Sequence, residues 1–105
     1  MKYKIVRDNL MMLLKTIDNI MGDPKVTTTK RRVFKIMDAW NSTFTLCVRC
    51  ADNANEKAYY DTYHNMLTGT ILGYFENDDD MIHYIKELVY QQLKGIEIMQ
   101  QEGRE

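Results

Sequence analysis

Cys47-Val48-Arg49-Cys50 is the stretch of this 105-residue chain whose spacing first invites chemistry, because two thiols three residues apart serve as redox pairs or as half of a zinc site. Structural zinc needs four ligands, yet the chain has no second cysteine pair, and His64 and His83 are its two imidazoles. A reactive cysteine pair belongs at a helix start, where the thiolate is stabilised. Here both thiols fall late in a helical pattern and on its apolar seams, where cysteine packs as a small hydrophobe. Asp61-Thr62-Tyr63-His64 and Asp80-Met81-Ile82-His83 each set a carboxylate three residues before an imidazole. Glu-x-x-His pairs hold metals in di-metal helical bundles with that spacing. Helical phase turns Asp61, His64 and His83 away from the apolar stripes, Asp80 suits a helix cap, and the first two helices supply no inward carboxylate. No metal and no cofactor are therefore expected. Catalysis by a nucleophile is not expected either: there is no Gly-x-Ser-x-Gly and no glycine-rich phosphate loop. Asp78 to Asp80 form a solvated run and not a converging pair. The expectation is a protein that is not an enzyme.

Two charged stretches suggest contact instead. Lys25, Thr28, Thr29, Lys30, Arg31, Arg32 and Lys35 surround a helix start, where free amides, hydroxyls and cations together can hold phosphate oxygens of a nucleic acid or nucleotide. Against this, cations at a helix start oppose the helix dipole, and a handful of charges binds weakly. A solvated basic turn is the competing reading, and no recognition helix with the short turn of a helix-turn-helix is visible. At the other pole, Glu76, Asp78, Asp79 and Asp80 make an acidic turn that could face a protein partner or compete for a nucleic-acid-binding groove. The formal net charge of −1 excludes a global electrostatic claim on nucleic acid or membrane. Seven tyrosines and eight methionines are notable. Tyrosine is enriched where an apolar body meets a wet rim, and methionine either fills core gaps, the preferred reading here, or serves adaptable surfaces. Tyr90 and Ile98 fall on the outer side of the last helix, and Met11 and Met12 fall off the stripe of the first.

The stretch from Val33 to Ala51 has to position most of these groups. Val33, Met37, Trp40, Phe44, Cys47 and Ala51 recur in steps of four and three, and Ile36, Ala39, Thr43, Leu46 and Cys50 repeat the rhythm beside them. Arg31, Lys35, Asp38, Ser42, Thr45, Arg49 and Asp52 form the remaining polar strip. A helix apolar on so much of its circumference must be covered on two flanks, within a bundle or at the seam of an oligomer. Before it, Tyr3, Val6, Leu10, Leu13, Ile17 and Ile20 form a single stripe, ended by Gly22-Asp23-Pro24, with glycine expected in the left-handed position after the helix. Thr27 to Thr29 offer the cap of the central helix. Asn53 and Glu56 have the spacing of a capping box for a third helix carrying Tyr59, Tyr60, Tyr63, Met66, Leu67, Thr70, Ile71 and Tyr74. Gly69 and Gly73 either let a neighbour approach or break that helix; the continuing period predicts one helix to about Phe75. A last helix follows the acidic turn, with Met81, Ile82, Ile85, Leu88, Val89, Leu93, Ile96 and Met99 buried and a polar tail from Gln100.

The chain thus reads as one domain over 1–105, all-α, an up-down-up-down four-helix bundle. Seams spaced by sevens add a coiled-coil-like homodimer with the central helix at its seam. No signal peptide and no membrane-spanning run are visible, and a reduced, cytoplasmic setting is expected. The functional expectation is a small binding protein acting on a protein partner, such as a phage or mobile-element regulator or inhibitor of host machinery, for example of a defence system. The alternative is a nucleic-acid-binding regulator that uses the basic turn 25–35.

Overall fold

The computed structural model describes residues 2–72 and 77–102, with 71, 72 and 78 described by backbone alone. It is all-helical, with four helices and no strand among the described residues: α1 (Lys2–Gly22), α2 (Thr29–Cys50), α3 (Ala54–Leu72) and α4 (Asp78–Gln101). Each helix packs on its neighbour in sequence, and α1 closes onto α4. The cross-links have a consistent sense. Lys86 near the start of α4 meets Asp18 near the end of α1, while Arg7 near the start of α1 reaches Gln100 at the end of α4.

The stripes sort as the 3.6-residue period requires. Tyr3, Val6, Leu10, Leu13 and Ile17 of α1 are buried, and so are Met81, Ile82, Ile85, Val89, Leu93 and Ile96 of α4. On α2 both apolar seams are covered. Trp40, Cys47, Ile36 and Thr43 are buried, the other seam residues are half-buried, and the whole polar strip is exposed. α1 packs on one flank of α2 and α3 on the other. The core holds fewer methionines than expected. Met81 is buried and Met21, Met37 and Met99 pack at its edge, whereas Met11, Met12 and Met66 are exposed. Met66, expected on the buried face of α3, is 44% exposed because Leu67 takes the inward position beside it.

Helix ends differ from expectation in informative ways. Gly22 is the last residue of α1 and not a left-handed cap. The chain turns because the Asp23 carboxylate accepts from the Lys25 amide and the Asp23 carbonyl accepts from Val26, around Pro24. Val26, 2% exposed, pins that turn into the core. Thr28 caps α2, its hydroxyl accepting from the Arg31 amide. Asn53 caps α3 by accepting from Glu56, as expected, but the Glu56 carboxylate returns to the Asp52 amide and not to Asn53. The cap of α4 is Asn77, accepting from the Asp80 amide, and not Asp80 itself. Gly69 lies inside α3 with open space where a Cβ would be, so it neither breaks the helix nor admits a neighbour. Gly73, Tyr74 and Phe75 lie outside the described residues.

Glu56 also ties helix starts together. Tyr3 donates to it at 2.6 Å and Lys2 at 2.9 Å, and Lys2 also reaches Asp52. Burial alone would raise the Glu56 pKa; the Tyr3 hydroxyl, the Asp52 amide and the Lys2 ammonium outweigh it and hold the carboxyl below its ordinary value. For Lys2, burial works downward, yet the two carboxylates raise its pKa. A carboxyl depressed in the fold stabilises above its unfolded pKa of about 4.3 and loses that contribution as pH falls through the folded value; the raised lysine contributes below about 10.4 and loses it above. Stability is therefore expected to hold flat across neutral pH and to fall on both sides. Glu56→Gln should flatten the acid limb of that profile, leaving the smaller part due to Asp8 beside Lys4, and lower stability by about 1 kcal/mol, read by urea unfolding at several pH values. An unchanged acid limb would show that Glu56 is not its source.

Candidate functional site

The first candidate surface is a groove between α1 and α4. On each helix the outward positions repeat every three or four residues beside the core stripe: Asp8, Met11, Met12 and Lys15 on α1, and Tyr90, Lys94 and Glu97 on α4. Leu14 and Leu93 form the floor, and the groove encloses about 730 Å³. Its walls are unusually apolar for a surface: Met11 is 55%, Met12 62% and Tyr90 55% exposed. Its charges are ordered along it. Because α1 and α4 run in opposite senses, Asp8 and Glu97 share one end, and Lys15 lies two turns away beyond Met11 and Met12. Asp8 is held by Lys4 of its own helix at 2.7 Å. Lys15, Lys94 and Glu97 have no ion pair among the described residues.

The second surface is a shelf of about 420 Å³ on the first turns of α2, lined by Lys30, Arg31, Phe34, Lys35 and Asp38. Phe34 is 74% exposed and lies among the cations. This brings together three of the seven basic-turn residues named from sequence, Lys30, Arg31 and Lys35. Lys25 and Thr29 are exposed but do not line the shelf, and Arg32 is half-buried. The Thr28 hydroxyl accepts from the Arg31 amide, so that amide is used by the cap. What the shelf adds is an aromatic face among cations, an arrangement suited to stacking on a nucleic acid base.

The acidic turn is partly outside the described residues. That is true of Glu76, and of Asp78 only the backbone is described; Asp79 and Asp80 are exposed at the start of α4, with the Asp80 amide used by the cap. The Cys-x-x-Cys pair is a packing feature. Burial, with Cys50 adding to it, pushes the Cys47 thiol up to about 12, which keeps it protonated. His64 does not point away from the core as its helical phase suggested. Its ring stacks on Phe44 at 3.9 Å and lies 6.0 Å from Trp40, wedged between α2 and α3, while His83 is exposed. The two Asp-x-x-His pairs thus end on different faces, and no group of three metal-binding side chains forms among the described residues.

Tyr90, Met11 and Met12 were visible in sequence only as isolated apolar residues on outer faces; the fold makes them one groove. Ile98, 47% exposed, does not line it. Phe34 is the one large apolar residue within the basic cluster, and it lies off both apolar seams of α2. No helix among the described residues is long and apolar enough to cross a membrane. Compared with models of protein families, with curated proteins and with solved structures, the chain matches none.

Proposed function

We propose that this chain is an up-down-up-down four-helix scaffold that works by macromolecular contact, as a regulator or inhibitor of its partner and not as an enzyme. The opposed sense of α1 and α4 supports the arrangement, as do extents of 43 × 23 × 19 Å, which fit helices about 30 Å long packed two by two. The observation that carries the function is the α1–α4 groove. Flexible methionines and a tyrosine wall an apolar floor, and charges rim it, the composition of a surface that accepts a helix or another protein face. The shelf at Lys30, Arg31, Phe34 and Lys35 supports a second reading, contact with single-stranded nucleic acid through stacking and phosphate pairing.

One experiment separates them. Tagged protein is used for capture from a lysate of its source, with and without nuclease, alongside Met12→Glu and a Lys30→Glu, Arg31→Glu, Phe34→Ala triple variant. All these positions are on the surface, so the variants should fold. The groove reading expects capture that survives nuclease, drops at least tenfold with Met12→Glu and is indifferent to the triple change. Capture that vanishes with nuclease and with the triple variant would transfer the function to the shelf.

A further inference from the structure

We infer that the occupant of the α1–α4 groove is a second copy of this chain, related by a two-fold axis passing between Met11 and Met12. The inference deepens the reading of the groove as the contact surface and rests on it. A two-fold interface brings a patch against itself, so every acid on it must meet a base at the mirrored position. The α1 side of the groove meets that demand. Asp8 and Lys15 lie seven residues apart on one outward line of α1, about 10.5 Å along the axis, with Met11 and Met12 halfway between them. When a second α1 is laid antiparallel across the first, Asp8 falls opposite the copy's Lys15, and this happens twice. The same operation sets Lys94, near the axis on α4, beside its own copy, with the Glu97 of each chain about one turn away on either side of the lysine pair.

Three of these charges, Lys15, Lys94 and Glu97, have no ion pair within the chain among its described residues. Asp8 shares one carboxylate oxygen with Lys4 and lies 3.9 Å from Arg7 through the other. At the centre, Met11 and Met12 of both copies would meet over the Leu14 and Leu93 floors, with Tyr90 closing each side. Exposed apolar area is then buried where the axis passes, inside a polar rim. The parallel alternative sets Asp8 and Glu97 against their own copies and is disfavoured by like charge. The interface also differs from a seam on α2, whose apolar faces are already covered by α1 and α3.

The test is a charge-swap pair measured by sedimentation equilibrium. Wild-type protein should show twice the 12.5 kDa chain mass. Lys15→Glu alone sets acid against acid at two places, and Asp8→Lys alone sets base against base. Each should weaken the dimer at least tenfold. An equimolar mixture of the two variants pairs every charge again and should restore a dimer made of one copy of each. Wild type that stays monomeric at about 100 μM, where a Kd of about 10 μM would leave the dimer dominant, overturns the inference. So does a dimer indifferent to both variants, or a mixture that fails to recover. A monomer whose lysate capture is still lost with Met12→Glu would locate the failure in the occupant, leaving the groove as the contact surface.

Discussion

Replacing Gln92 with methionine is expected to stabilise this chain by about 1–3 kcal/mol, the amount by which an unpaired buried polar group disfavours the folded state. Gln92 lies on α4 with no exposed surface, and neither its side-chain oxygen nor its nitrogen has a hydrogen-bond partner. Its backbone carbonyl is separately used, accepting from the Tyr59 hydroxyl at 3.1 Å. Methionine keeps the length and straight shape of the side chain while removing both polar atoms, so the gain is not offset by a cavity. In a domain of this size the melting temperature should rise by roughly 5–15 °C. Gln92→Ala serves as the control, since it also removes the amide but leaves a void and should gain less or lose. Equal or lower stability for the methionine variant, measured by chemical and thermal unfolding, would show that the amide is satisfied in solution. Trp40 and Tyr60 also bury an unpartnered polar atom, Nε1 and the hydroxyl, but each ring fills core volume that no apolar residue of similar shape replaces as cleanly.

Gly95→Ala should act in the opposite direction, lowering stability by about 1–3 kcal/mol although alanine is the better helix former by about 1 kcal/mol. A Cβ at Gly95 would overlap the Tyr59 hydroxyl oxygen and stand 3.0 Å from the ring carbon that bears it. Tyr59 cannot simply swing aside. It crosses from α3 to α4, donates to the Gln92 carbonyl and packs edge-on to Tyr60 and Tyr63. Withdrawing it breaks that bond and opens the α3–α4 contact. In a Tyr59→Phe background the colliding oxygen is gone, and the same Gly95→Ala change should be close to neutral. The coupling between the two substitutions is then at least about 1 kcal/mol, read from a double-mutant cycle in urea. Additive effects would show that the tyrosine yields freely.

These two positions also mark where sequence reading stops. Gly69 and Gly73 are the glycine pair four residues apart in the sequence, yet Gly69 faces open space, and the glycine that admits a neighbour is Gly95, which no periodic signal singles out. Gln92 sits next to Leu93 within a well-formed stripe and looks like the polar residue beside it; both prove to be buried. Helical phase alone turns His64 outward, but Phe44 of the neighbouring helix stacks on its ring and half-buries it. The basic cluster was legible as charge, whereas the shelf formed by Lys30, Arg31 and Lys35 turns on Phe34, and the Thr28 hydroxyl accepts from a first-turn amide of α2.

By itself the sequence determined four helices, the stripes that α1, α2 and α4 turn inward, the covering of α2 on two flanks, a threonine cap among 27–29 and the Asn53 cap. All of these follow from local period and local hydrogen bonding, which a few consecutive residues specify. The tertiary structure alone decided that Met11 and Met12 join Tyr90 in one groove, that Tyr59 needs Gly95, and that His64 stacks on Phe44. Each of these depends on the rotation and offset of one helix against another far away in the chain. Interlocking side chains set that relation, and no spacing within either helix encodes it.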